Sequence, residues 1–340
     1  MDPHGHTYTD PPPVGSPEID DPILDVRDLE IRFVNEKVNL LAVQELSYQL
    51  NRGCTLGVVG ESGCGKTVSA LAVLGLLDPP GEISGGEIWF EGRNLKLLTQ
   101  KQLAKVRGAK IGMVFQEPMT ALNPVYTIGD QISEVAVVHQ NLSKSAARVR
   151  AVELLDLTCV PAPNKRIYDY PHQLSGGLRQ RAMIAMALAG EPSLLIADEP
   201  TTALDVTLQS QILELFLEIQ SQFDMAIQFI SHDLGVISEI ADEVLVLYAG
   251  RAVERAPSAA LFSNPRHPYT QGLLSTVPRL DSAHDRLPAI PGQTPNIAQL
   301  PRGCPFHDRC FAATTECVEQ EPRLEQIEAG HWVACLKVGS

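Results

Sequence analysis

The octapeptide GESGCGKT at residues 60–67 sets a lysine and a threonine behind a glycine-rich turn, in the spacing G-x-x-x-x-G-K-[ST]. It follows an apolar run, TLGVV (55–59), and opens into a helical pattern, VSALAVLGLL (68–77). That strand–loop–helix setting is the one in which such a loop cradles nucleotide phosphates. Glycines let backbone N–H groups turn inward, and the helix behind them adds roughly half a positive charge. Lys66 then reaches the β- and γ-phosphates, and the Thr67 hydroxyl ligates Mg²⁺. The candidate nucleotide contacts from this segment are Gly60, Glu61, Ser62, Gly63, Cys64, Gly65, Lys66, Thr67 and Val68.

A second segment supplies carboxylates. SLLIADEP (193–200) is an apolar strand ending in Asp198, and Glu199 follows at once. In open α/β sheets ligands sit beyond the C-terminal ends of strands. An acidic residue there serves Mg²⁺ directly or through water. The next carboxylate can face the attacking water as a general base, which contributes typically ~10²–10⁴-fold. A third segment, LSGGLRQRAMIAMALA (174–189), puts Ser175, Gly176 and Gly177 ahead of a helix. This is another anion-binding end. A chain with two such ends suits a site completed across a dimer, one subunit's serine and glycines closing over the other's γ-phosphate.

Residues positioned this way need a parallel sheet with helices on both faces. Strand-like runs lie at 23–33, 42–50, 55–59, 85–92, 110–116, 193–198, 225–231 and 243–250, with helical patterns between many of them. The period turns helical from about 127 to 189, where Ser143 is a candidate N-cap, and again at 206–223. The expected fold class is α/β. Three parts are expected: a disordered leader over 1–21, a nucleotide-binding domain over 22–256 with a helical subdomain at about 117–190, and a separate C-terminal domain over 257–340. Prolines are frequent in the last part and little regular structure is expected there.

The composition is that of an ordinary globular chain, 44% hydrophobic and 20% charged. With 27 basic and 41 acidic residues the net charge is −14 and no basic block stands out, which argues against a nucleic-acid partner. No run of 18 or more apolar residues spans a bilayer, and the polar, proline-rich N-terminus does not read as a signal peptide.

In this order the motifs resemble the nucleotide-binding subunit of an ATP-binding-cassette transporter: the phosphate loop, Gln116 after a strand, LSGG at 174–177, Asp198 and Glu199, TTALD at 201–205, then His232 after a strand. The likeness covers about residues 23–255. It implies a P-loop ABC ATPase with a RecA-like core, an antiparallel β subdomain and a helical subdomain, using ATP and Mg²⁺. It also implies that Gln116 touches Mg²⁺ or the lytic water, that Asp205 lies in the loop joining the two sites, and that His232 contacts the γ-phosphate. Glu199, His232, Gln116 and Lys66 are the expected catalytic set, and Thr67, Gln116 and Asp198 the expected Mg²⁺ ligands. Phe33 stands where the family has an aromatic ring on the adenine; it is equally a core residue of its strand. Leu178 replaces a glutamine found in many members. A single cassette without heptads sets the chain apart from the soluble cassette proteins of DNA ends and ribosomes.

NPRHPYTQGLL (264–274), LPAIPGQTPN (287–296) and GCPFHDRC (303–310) resemble the tail of peptide- and nickel-importer ATPases, with Asp308 where a proline is frequent. The resemblance implies a second ABC ATPase subunit, identical or paralogous, two integral-membrane permease subunits and an extracytoplasmic substrate-binding protein. It places the chain peripherally on the cytoplasmic face of the membrane. Dipeptides, longer peptides, nickel chelates and glutathione all stay open as cargo. Cys304, Cys310, Cys317 and Cys335 are spaced C-x5-C-x6-C-x17-C. Structural zinc sites usually open with closer ligands, whereas four thiolates are the ligand set of a [4Fe–4S] cluster. Some members of this importer group carry such a cluster on the matching cysteines. A metal-binding tail is therefore expected, with iron–sulfur ahead of zinc and of free thiols.

Overall fold

The computed structural model describes residues 22–35, 39–202, 204–276 and 289–338. The expected leader, residues 1–21, lies outside the described residues. The chain runs through β1 (Leu24–Val34), β2 (Asn39–Leu50), β3 (Thr55–Val59), α1 (Lys66–Val73), β4 (Gly81–Phe90), β5 (Arg93–Asn94), α2 (Gln100–Val106) and β6 (Ile111–Val114). A helical stretch follows: α3 (Pro118–Ala121), α4 (Ile128–Gln140), α5 (Lys144–Leu157), α6 (Pro163–Arg166) and α7 (Gly176–Leu188). The core resumes with β7 (Leu194–Asp198), α8 (Val206–Phe223), β8 (Ala226–Ser231), α9 (Leu234–Ile240), β9 (Glu243–Tyr248) and β10 (Arg251–Pro257). The C-terminal part holds α10 (Ser258–Ser263), α11 (Pro268–Ser275), α12 (Thr315–Glu319), β11 (Glu325–Glu328) and β12 (His331–Val333).

Two sheets carry this order among the described residues. The smaller is antiparallel, β2-β1-β4-β5. The larger runs β11-β12-β10-β9-β3-β8-β7-β6, and its strands β9, β3, β8, β7 and β6 are parallel. Every residue of β3, β7 and β8 is buried. Parallel strands covered on both faces read this way, as near-continuous apolar runs without alternation. Each buried Leu, Ile or Val contributes about 1.5–3 kcal/mol relative to exposure, so these central strands fix where the loops beyond them emerge.

The helical stretch packs through Ile128, Ile132, Leu154, Leu155 and Leu174, all at most 3% exposed. Ser143 caps α5 by accepting from the Ala146 N–H at 3.2 Å. Thr127 caps α4 in the same way, accepting from the Asp130 N–H.

The C-terminal part is less irregular than its prolines suggest. Its strand β12 pairs antiparallel with β10, Glu254 opposite Val333, so the tail extends the cassette's own sheet. Glu254 anchors the junction. It is 0% exposed, accepts from the backbone N–H of Arg266 (2.7 Å) and His267 (3.0 Å), and hydrogen-bonds His331 Nε2 (2.8 Å). Among the described residues no helix is long and apolar enough to cross a membrane.

Candidate functional site

Strand β3 ends at the glycine loop, and α1 begins at Lys66. The loop closes at Gly65 with φ +103°, a left-handed conformation that disfavours any side chain. A Cβ there would also meet Val43 Cγ2 at 3.1 Å. Lys66 is 5% exposed, and its Nζ donates to the carbonyls of Gly60 (2.7 Å) and Glu61 (3.1 Å). The ammonium is thus held within the loop, its burial compensated by two carbonyls. Thr67 Oγ1 donates to Asp198 Oδ1 at 3.2 Å, linking the start of α1 to the end of β7. Asp198 is 2% exposed. Burial pushes its carboxyl up; the Thr67 hydroxyl opposes this, the Glu199 charge adds to it, and the Lys66 charge opposes it.

Glu199 leaves the strand with φ +47°, unusual for a residue with a side chain. Its Oε2 is a point of convergence. Gln116 Nε2 donates to it at 3.1 Å, Thr202 Oγ1 donates at 3.0 Å, and His232 Nδ1 stands 3.1 Å away. These residues come from the ends of β6, β7 and β8, so adjacent parallel strands deliver them to one edge of the sheet. Together with Ser62, Gly63, Gly65, Lys66, Thr67 and Val68 they line a cavity of about 480 Å³. That volume lies within the ordinary range of small-ligand sites. A larger cleft of about 880 Å³ lies between β1, β2 and the tail, but it holds none of these groups.

Some expected contacts stand elsewhere. Phe33 does not line the cavity; it pairs across the sheet with Gly81, and a Cβ on that glycine would meet the Phe33 ring at 2.8 Å. The residue is half-buried at this strand pairing. Cys64 is 0% exposed and faces inward, where burial pushes its thiol up. The Glu61 side chain turns away from the cavity toward the C-terminal part, where it pairs with Arg309. Ser175, Gly176 and Gly177 are not brought to this cavity either. Ser175 is exposed at the N-cap of α7 and makes no capping bond with its side chain. Asp205 caps α8, accepting from the Leu208 N–H at 3.0 Å. Two lining residues were not anticipated, Ala42 and Thr202. Thr202 carried a signal, since it lies three residues after Glu199 within TTALD.

In the tail, Cys304, Cys310, Cys317 and Cys335 are free thiols lining one small cavity with His267 and His307. The Cys304 N–H donates to the Cys317 carbonyl at 2.8 Å. Burial pushes the Cys304 thiol up to about 11, and the other cysteines add to the shift. The metal-binding part of the expected tail finds no support in the geometry. Among the described residues no group of three or more His, Cys, Asp or Glu stands close enough to hold a metal ion.

The phosphate loop, the paired acids and the parallel sheet define a P-loop nucleotide-binding ATPase. Residues 43–202 match the ABC transporter family, and residues 253–317 match the C-terminal region of oligopeptide/dipeptide transporters. The oligopeptide transport ATP-binding protein OppD of Bacillus subtilis is 49% identical over 92% of this chain and 87% of its own. The dipeptide transport ATP-binding protein DppD of Escherichia coli is 46% identical over 92% of this chain and 96% of its own. Among solved structures, cbiO1 of Clostridium perfringens, part of an ABC transporter complex, is 28% identical and superposes with a TM-score of 0.62 over 72% of this chain and 92% of its own. The dimeric cassette MJ0796 bound to ADP and Pi, at 24% identity and a TM-score of 0.63, shares the fold over 69% of this chain and 98% of its own. The chain belongs to the ABC transporter family.

Proposed function

We propose that this chain is the ATP-hydrolysing subunit of a peptide importer. The observation that carries the reading is the convergence of Gln116, Thr202 and His232 on Glu199 Oε2, beside the Lys66 loop. The relatives named above, spanning nearly the whole chain, are peptide-transport ATP-binding proteins, which supports peptide as cargo.

In this reading the loop amides and Lys66 bind the β- and γ-phosphates of ATP. Thr67, Asp198 and Gln116 would hold Mg²⁺, which would supply charge neutralisation on the phosphates. Glu199 accepts the proton of the attacking water. His232 and Gln116 hold the Glu199 carboxylate, and His232 contacts the γ-phosphate in this reading. Ser175, Gly176 and Gly177 are unused within their own chain, which supports their closing over the nucleotide of a second cassette, with Asp205 near the joint. That pair would sit on the cytoplasmic face of the membrane beneath two permease subunits, supplied by an extracytoplasmic substrate-binding protein.

Cys304, Cys310, Cys317 and Cys335 would hold a [4Fe–4S] cluster, a group that supplies electron transfer or structural cross-linking. A tetrahedral zinc needs four sulfurs about 2.3 Å from a single point. A cubane takes one thiolate at each of four separate irons, so its sulfurs stand wider apart. Four free thiols lining one cavity are the ligand set that the second demand calls for.

The test is uptake. Co-purified with its permease subunits and reconstituted in vesicles, with ATP on the cassette side, the chain should drive uptake of labelled di- and oligopeptides. Lys66→Ala should abolish that uptake. Uptake of nickel chelates with none of peptides would overturn the cargo; uptake unaffected by Lys66→Ala would overturn the ATPase role.

A further inference from the structure

Glu61, the second residue of the phosphate loop, is held on every side. Its backbone N–H donates to Tyr269 Oη at 3.0 Å. Its carboxylate receives both arms of Arg309, Nη1 to Oε2 at 2.7 Å and Nη2 to Oε1 at 2.8 Å, and Thr294 Oγ1 at 2.8 Å. Its carbonyl accepts from Lys66 Nζ at 3.1 Å. Three of these partners, Tyr269, Thr294 and Arg309, lie in the C-terminal part, up to 248 residues away. One residue therefore joins the tail to the ammonium that meets the phosphates.

The tail side of this contact is rigid. Tyr269 is 0% exposed, its ring 4.6 Å from Tyr248 and 5.3 Å from Phe306. Arg309 is 7% exposed. Its Nε donates to the Pro291 carbonyl at 2.9 Å, its Nη1 to Tyr248 Oη at 3.3 Å, and its guanidinium lies over the Tyr248 and Phe306 rings. A bidentate guanidinium–carboxylate pair fixes direction as well as distance. The Arg309 contact holds the Glu61 carboxyl below the usual glutamate range, so the pair stays charged. On the cassette side, a Cβ on Gly60 would strike the Leu247 carbonyl at 2.2 Å, so the loop's entry is pressed against β9 and has little room to drift.

We propose that Arg309 and Tyr269 are positioning residues for ATP binding, acting through Glu61 to hold the phosphate loop open to nucleotide. Neither touches the cavity, so neither is catalytic. The inference rests on the reading of that loop as the ATP site. Without the clasp, the 60–61 peptide is free to rotate, and the carbonyls that hold Lys66 move with it. Nucleotide binding must then order the loop itself, which weakens affinity and leaves the step at Glu199 untouched. The tail becomes a working wall of the nucleotide site as well as an extension of the sheet.

The experiment is a double-mutant cycle in the full chain, with a fluorescent ATP analogue as probe and thermal melting alongside. Arg309→Met keeps the bulk of the side chain and should weaken binding about tenfold, the size of one lost charge-assisted contact. Glu61→Gln should weaken it comparably, and the double variant should be no worse than the worse single, since both remove one interaction. In the assembled transporter, the loss should fall on KM for ATP, with kcat at saturating ATP within about twofold of the parent. Tyr269→Phe keeps the ring in place and should weaken binding about threefold, which reads the backbone contact even where Arg309→Met melts too early. Lys66→Ala reports the site itself. If it leaves binding intact, the site reading and this inference both fail. If it abolishes binding while Arg309→Met and Tyr269→Phe bind as the parent does, this inference alone is overturned. Additive losses in the cycle, or a loss confined to kcat, overturn it equally.

Discussion

His232 Nδ1 and Glu199 Oε2 stand 3.1 Å apart, although 33 residues separate them along the chain. The same oxygen receives Gln116 Nε2 and Thr202 Oγ1. A carboxylate oxygen with three partners is oriented rather than free, and each partner's share is measurable. His232→Ala should lower kcat about 10²-fold, because it removes a partner of the Glu199 carboxylate that is also proposed to contact the γ-phosphate. Thr202→Val should cost less than about tenfold, since Gln116 and His232 remain. Steady-state ATP turnover at saturating substrate checks both, and equal losses would contradict the ranking.

Gly176 offers a cleaner test of the second cassette. A Cβ built there meets nothing within 4 Å, and the residue is exposed at the first turn of α7. Gly176→Asp should therefore fold and bind ATP as the parent does in the isolated chain. In the proposed composite site it would set a negative charge against the neighbour's γ-phosphate, and turnover of the assembled transporter should fall at least about 10²-fold. Full turnover in the assembly would remove this turn from the composite site.

Much of this arrangement is legible in the sequence because the central strands are buried on both faces. TLGVV, SLLIAD and MAIQFIS leave no doubt about period or length, and the observed strands match them within a residue. The acids and the histidine then follow from strand ends. The tail was not legible in the same way. EQIE and HWV are too short and too mixed to show alternation, and only pairing, β11 with β12 and β12 with β10, makes them strands. The turn of Glu61 toward Arg309 is a contact between distant segments that no local pattern announces. Phe33 has no such local signal either: its ring lies beside Gly81 of the neighbouring strand, a contact between distant segments.

Glu254 sets the stability of the junction between cassette and tail. It is the fully buried acceptor for two backbone N–H groups and a partner of His331. Glu254→Ala leaves those groups unsatisfied and should lower stability by about 3 kcal/mol. Calorimetry of the full chain should show a melting temperature lower by several degrees. An unchanged melt would mean that water replaces the carboxylate without loss.

The tail cysteines make a prediction in metal content. Protein purified without oxygen should be brown and contain about four irons per chain. Cys317→Ser should lose the colour. Colourless protein with stoichiometric zinc would reverse the assignment.

The most direct measurement concerns Glu199 itself. Glu199→Gln keeps the shape of the side chain and should retain ATP affinity within about twofold, because the phosphate loop is untouched, while kcat in the assembled transporter falls by about 10³-fold or more. Turnover at the parent rate with ATP still bound would contradict the assignment of Glu199 as the base.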